Sequence, residues 1–208
     1  MKLSDIAMIA ADTTRSRAYI QAMIKHDLIP NCVVVLENKS EQHRPGQISG
    51  SEAYGIKSDF GDLDDCWSEA NFNPDESLKV TMEKINVSYL ESGTGDINDP
   101  AVVDILQNRS EQVFIYSGFG GVLLRKDVLN TGKKFLHVHG GYLPDYKGST
   151  TNYYSLISEN TIGASSLFLN QEIDSGSIIE RKKFPPPPDR EQIDHVFGPR
   201  IISEDPSR

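Results

Sequence analysis

The stretch "FLHVHGGYLPDYKG", Phe135–Gly148, sets two histidines one residue apart in front of a glycine pair. In an extended chain successive side chains point to opposite faces, so His137 and His139 share a face and Val138 takes the other. Two imidazoles then look into one space. Farther along, "QEIDSGSII" supplies Asp174 in a turn closed by Gly176. Two histidines with a distant carboxylate fit a two-His, one-carboxylate zinc site. A plainer reading has a strand-end histidine hydrogen-bonded for structure and an Asp-Ser-Gly turn doing ordinary turn chemistry. Spacing alone leaves these readings open.

The elements around these residues must bring them together. "IAMIAA", Ile6–Ala11, reads as a buried strand followed by the polar turn "DTTRSR". Ala18, Ile20, Met23 and Ile24 have roughly helical spacing, which predicts a helix over 15–26 that stops before Pro30. "CVVVL", from Cys32 to Leu36, is the next strand. Continuous apolar strands alternating with helices point to an α/β fold, an open, mostly parallel twisted sheet with helices on both faces. From Glu37 to about Asn73 the chain is polar and reads as a loop with short helical pieces. Pro100 suits the first turn of a helix over "DPAVVDILQN". "QVFIYSG" reads as a central strand, "VLLRKDVLN" as a helix, "KFLHVHG" as a strand and "STTNYYSLISEN" as a helix. "ASSLFLNQ" and "SGSIIERKKF" follow as strands. Four consecutive prolines from Pro185 favour an extended path. This divides the chain into a domain over 1–184 and a proline-rich C-terminal extension over 185–208, whose polar "ISEDPSR" reads as a frayed tail or a chain cut before a last helix.

In open α/β sheets ligands bind outside the carboxyl ends of the strands. Two such ends here are glycine-rich, "YSGFGGVLL" and "HGGYLPDYKG", and glycine lets backbone groups approach a ligand closely. A third end carries Asp174 to the same rim. "GFGG" is no dinucleotide fingerprint, because it lacks both the spacing and the place after the first strand.

Composition narrows the partners. The formal charge of -9 over 208 residues argues against nucleic-acid binding, which draws its affinity from Lys and Arg on phosphates. Small neutral or cationic partners fit better. No apolar run approaches the roughly 20 residues that span a bilayer, and the N-terminus lacks a signal-peptide layout. Cys32 and Cys66 read as reduced thiols, which makes a soluble cytoplasmic protein the expectation.

From Val113 to Ile179 the residues become recognisable. "HVHGGYLPDYKG" followed by "DSGSII" resembles the pattern of the folate-dependent formyltransferases, Asn-x-His-Pro-Ser-Leu-Leu-Pro-x-Tyr-Arg/Lys-Gly and then Asp-x-Gly-x-Ile. The resemblance implies a Rossmann-like formyltransferase domain that uses 10-formyltetrahydrofolate as co-substrate. It gives His139 and Asp174 the roles of the catalytic His and Asp, and it counts His137 as catalytic where the family usually has Asn. A neutral imidazole can offer one N–H to an oxyanion, as an amide can, so His137 is expected as a second donor. The expected pterin lining is Tyr116, Gly118, Gly121, Val122, Leu123 and Gln171.

The resemblance is closest in look to bacterial enzymes that formylate an amino sugar, often nucleotide-linked, for surface polysaccharide. Tyr142, Lys147 and Asn152 are the expected acceptor contacts, beside a pocket wall over 12–17. No metal, nucleic acid or membrane is expected, and a homodimer is one open state of assembly. A phosphoribosylglycinamide-type enzyme is the alternative, although "ADTTRSR" stands where that enzyme has its phosphate loop. Arg15 and Arg17 can bind a phosphate there or stand as solvated surface charge. A methionyl-tRNA enzyme would need a basic surface and a further C-terminal domain. From a different class, an inactive folate-binding homologue or a formyltetrahydrofolate hydrolase also fits.

Overall fold

The structure, a computed structural model, describes residues 1–37, 72–190 and 193–199. In chain order the elements are β1 (Lys2–Leu3), β2 (Ile6–Ala11), α1 (Thr14–Lys25), β3 (Ile29–Pro30), β4 (Val33–Leu36), α2 (Leu78–Lys84), β5 (Tyr89–Glu91), α3 (Pro100–Asn108), β6 (Val113–Ser117), α4 (Lys126–Leu129), β7 (Lys134–His139), α5 (Thr151–Glu159), β8 (Ile162–Phe168) and β9 (Ile178–Phe184). The loop expected from Glu37 to about Asn73, apart from its ends, lies outside the described residues. Cys66 and the "ISEDPSR" tail lie outside them too.

Strands that are apolar at every position must be covered on both sides, and this sets the architecture. β2 and β4 sit inside a seven-stranded sheet of order β5-β4-β2-β6-β7-β8-β9. The pairs from β5 to β7 are parallel, while β8 and β9 run antiparallel to their neighbours. β1 and β3 form a separate parallel pair. Alternation splits β2 between two cores. Ala7, Ile9 and Ala11 pack with Val102 and Leu106 of α3 and with Phe114, Tyr116 and Phe135 of the neighbouring strands. Met8 and Ala10 pack on the other face with Tyr19 and Ile20 of α1 and with Leu78 and Met82 of α2. The chain has the mostly parallel α/β sheet, covered on both faces, that its patterning predicts.

Local chemistry explains the helix ends. The Thr13 hydroxyl accepts from the Ser16 N–H at 3.3 Å and starts α1. Asp99 accepts from the Ala101 N–H at 2.9 Å, and Pro100 opens α3 where its missing N–H costs nothing. The helix expected over "VLLRKDVLN" shrinks to α4. Asn98 ties up the stretch before it: its amide donates to the Leu123 carbonyl at 3.0 Å and accepts from the N–H of Arg125, which is extended, at 2.7 Å. After β9 the prolines run without regular structure. A π-helical turn, Ile193–Phe197, then buries Ile193 and Phe197 against Leu156, Ile162 and Phe184. Cys32 is a buried free thiol.

Candidate functional site

The strand order places the carboxyl ends of β2, β6 and β7 side by side. From β2 the chain moves outward through β4 to β5 and then returns to β6, so the gap between β2 and β6 is the switch point where such sheets bind ligands. The first turn of α1 is fastened across this gap. The Ser16 hydroxyl, fully buried, donates to the Ser117 carbonyl at 2.8 Å, and Arg15 Nη2 donates to the Gly118 carbonyl at 3.3 Å. Arg15 Nε is buried with no hydrogen-bond partner among the described residues.

His137 and His139 lie on one face of β7, the face of Phe135, and Val138 packs on the other. The half-buried His137 is held through Nδ1, 3.0 Å from the Tyr116 carbonyl oxygen. A carbonyl only accepts, so Nδ1 carries the hydrogen. Removal from water and then the positive charge of Arg15 pull this imidazole down to about 4, so it is neutral at pH 7. A neutral ring has a single N–H, and here Tyr116 takes it. The donor expected of His137 is therefore already committed to the backbone, and Nε2 presents a lone pair with no hydrogen-bond partner among the described residues.

His139 is held the other way round. Its Nε2 donates to the Tyr146 carbonyl at 2.9 Å, and its Nδ1 faces Asp174 Oδ2 at 3.4 Å. Asp174 reaches it from the loop after β8. Asp174 takes a left-handed φ of 47°, which Asp tolerates better than most residues, and its Oδ2 accepts from the Gly148 N–H at 2.8 Å. Gly176 makes that loop possible, because a Cβ there would lie 1.7 Å from the Phe168 carbonyl oxygen. Gly141 plays the same part under His139: a Cβ would meet His139 Nε2 at 2.7 Å and the Tyr146 oxygen at 2.8 Å. Ser165 clamps this loop from β8, donating to the Gly141 carbonyl at 2.7 Å and accepting from the Leu143 N–H at 3.0 Å. Nothing in the sequence around Ser165 marks it for that task, since its partners lie in another element.

The residues expected to line a pterin fall into three places. Gly118, Gly121, Val122 and Leu123 share the loop at the end of β6, where Gly118 is buried and Leu123 exposed. Tyr116 lies beneath, in the core, its hydroxyl without a hydrogen-bond partner among the described residues and pushed up to about 12 by burial. Its ring leaves no space for a side chain on Gly118, where a Cβ would sit 2.4 Å from the hydroxyl oxygen. Gly120 and Gly121 border open space instead, with nothing within 4 Å of an added Cβ. Gln171 stands exposed on the loop that carries Asp174. A glycine-lined open edge above an orphaned buried hydroxyl fits a flat ring held by backbone groups.

The expected acceptor contacts are more dispersed. Tyr142 is flanked by Arg181 and Lys183, each 4.8 Å from the ring centroid. Asn152 accepts from the Gly163 N–H at 3.1 Å and so holds α5 on β8. Lys147 is exposed. Of the two arginines, Arg17 is committed to Asp12 at 2.7 Å and the Pro74 carbonyl at 2.6 Å. Arg15 is turned inward instead of standing in solvent. Among the described residues no three His, Cys, Asp or Glu side chains are grouped as metal ligands. No helix among them is long and apolar enough to cross a membrane.

The chain is similar to known proteins in sequence and in fold. A model described as formyl transferase matches residues 70–194. A phosphoribosylglycinamide formyltransferase of Haemophilus influenzae is 30% identical over 88 residues, 42% of this chain and 42% of that one. A methionyl-tRNA formyltransferase of Syntrophus aciditrophicus is 28% identical over 94 residues, 45% of this chain and 30% of its own. The match thus spans less than half the length of either relative. Among solved structures, a phosphoribosylglycinamide formyltransferase from Streptococcus pneumoniae superposes with a TM-score of 0.59 at 14% identity, covering 96% of this chain and 91% of that one. A sugar N-formyltransferase from Shewanella gives 0.57 at 12% identity, covering 97% and 66%.

Proposed function

The chain belongs to the formyl transferase family, and on that premise we propose that it moves a formyl group from 10-formyltetrahydrofolate to the amine of an amino sugar, nucleotide-linked, for surface polysaccharide biosynthesis in the cytoplasm. The observation that carries formyl transfer is the His139–Asp174 contact of 3.4 Å at the rim of the parallel strands, beside the open glycine loop that ends β6. Acyl transfer to an amine builds negative charge on the former carbonyl oxygen, and fixed donors and dipoles at that point lower the barrier. Nδ1 of His139 is the one ring nitrogen of that residue not committed to a main-chain carbonyl, and since Tyr146 takes the hydrogen on Nε2 it donates only when the ring holds both hydrogens. Asp174 orients it, while Tyr146 and Gly148 fix the pair from the neighbouring loop.

The form of the loop "HVHGGYLPDYKGS", which resembles that of the amino-sugar enzymes, supports the choice of acceptor. The first strand-to-helix turn supports it as well. There Thr13 is used as a helix cap and Arg17 is neutralised by Asp12, so the turn offers no glycine-lined phosphate cradle. One observation favours the phosphoribosylglycinamide-type reading instead, since Arg15 has no carboxylate partner among the described residues.

Incubation with 10-formyltetrahydrofolate and a panel of nucleotide-linked amino sugars plus phosphoribosylglycinamide, read by mass spectrometry, tests the proposal. A formyl mass gain on an amino sugar is the expected result. Gain only on phosphoribosylglycinamide moves the protein to the second reading, and loss of the folate's formyl group without any amine moves it to hydrolysis. No folate binding by calorimetry would leave an inactive homologue.

A further inference from the structure

The residue types at 137 and 139 are identical, yet at 139 the second ring nitrogen faces Asp174, while at 137 it has no hydrogen-bond partner among the described residues. From the geometry of Nδ1 and the Tyr116 carbonyl we infer that His137 serves as the proton acceptor for the attacking amine through Nε2, not as a donor to the formyl oxygen. The inference rests on the formyl-transfer reading above and deepens it by naming where the amine proton goes.

Four groups face this ring. Arg15 comes from α1 and Tyr116 from β6, His139 stands on the same strand, and Asp174 comes from the loop after β8. Tyr116 fixes the tautomer with its main-chain oxygen. The Arg15 guanidinium, held to Gly118, opposes a second proton on the ring, and so does His139, while Asp174 favours one. Arg15 is thus a positioning residue for a charge state. It keeps the acceptor empty until the amine arrives.

The step balances. The amine lone pair forms the new bond to the formyl carbon while the carbonyl π pair moves onto oxygen. The nitrogen, now cationic, passes a proton to Nε2, and His137 becomes an imidazolium. That proton then passes to N10 of the folate as the C–N10 bond breaks and the oxygen pair restores the carbonyl, so His137 ends neutral as it began. Its weak basicity suits the second half. N10 is an arylamine nitrogen, itself a poor base, and an imidazolium beside a guanidinium releases its proton more readily than a free one.

Long-range proton–nitrogen correlation spectra of histidine-labelled protein at pH 7 test the assignment without turnover. Nδ1 of His137 is expected to be protonated and Nε2 bare; a protonated Nε2, or an imidazolium, overturns the inference. In turnover, His137→Asn keeps an N–H donor but no base. Its kcat is expected to fall about 10²- to 10⁴-fold with the KM for folate within about threefold of wild type. Wild-type kcat in a variant that melts normally and binds 10-formyltetrahydrofolate overturns it. If His137→Asn does not fold, Arg15→Gln carries the test: the acid limb of the kcat profile should move to higher pH, and an unmoved limb counts against the inference. A wild-type protein with the expected tautomer that formylates no amine counts against the function and leaves the nitrogen assignment standing.

Discussion

On the β6 side of the site, His137 hangs from a main-chain carbonyl by Nδ1 with a guanidinium nearby. On the β8 side, His139 hangs from a main-chain carbonyl by Nε2 and faces a carboxylate. Strand alternation makes the two rings neighbours, but it does not make them alike. Which nitrogen a carbonyl engages, and the sign of the charge behind the ring, separate their chemistry more than their shared residue type unites it. The parallel half of the sheet supplies a neutral ring with an open lone pair, and the antiparallel half supplies a ring paired to an acid.

The contrast breaks most completely at Gly176. Gly176→Ala puts a Cβ into the Phe168 carbonyl and drives the Asp174 loop away from His139. We expect formyl transfer to fall below detection and the melting temperature to drop, seen by mass spectrometry and by circular dichroism. Next come His139→Ala and Asp174→Ala, which remove one member of the pair and leave the backbone in place. Each is expected to cost about 10²- to 10³-fold in kcat with an unchanged circular dichroism spectrum. A wild-type rate in either would detach the β8 side from the chemistry.

The His137 side makes a prediction about stability. Folded, the ring takes a proton only near pH 4, against 6.5 for the free side chain, so the unfolded chain binds more protons between those values. Stability therefore rises with pH across that window and is lost as pH falls from about 6.5 to 4, by on the order of 3 kcal/mol. Urea unfolding of wild type and His137→Asn over that range should show the variant lacking this part of the slope. The smallest effect is expected at Tyr142, whose cation–π contacts lie outside the contrast. Tyr142→Leu should lower stability by about 1 kcal/mol and leave kcat nearly unchanged; a large loss of activity would bring Tyr142 into the acceptor site after all.

The sequence makes most of the frame legible. The apolar runs at Ile6–Ala11 and Val113–Ser117, the Asp99-Pro100 start of α3 and the alternation through His137 and His139 are local patterns with local causes. The motif likewise pointed to His139 and Asp174. Other features depend on partners distant in the chain. The tautomer of His137 is set by Tyr116 on the adjacent strand, and without that carbonyl an imidazole at 137 reads as a donor. Asn98 captures backbone groups at 123 and 125, just before α4. Arg15 reads as a phosphate ligand or a solvated charge until α1 is seen to dock its first turn on the end of β6. Asn152 and Tyr142 read as acceptor contacts, and only β8 and β9 show that Asn152 also accepts from the Gly163 N–H and that Tyr142 also lies against Arg181 and Lys183.

The place of β2 carries a consequence for how the chain is made. One edge of β2 pairs with β4, which follows soon after, but the other pairs with β6 in the register Ile6↔Val113. At ordinary rates of synthesis that second edge waits on the order of ten seconds on the ribosome for its partner. Of the inner strands of this sheet, β2 thus has the longest stretch of chain to wait for before its second neighbour arrives. The rim where Arg15, His137 and His139 meet comes into being only after Asp174 has emerged.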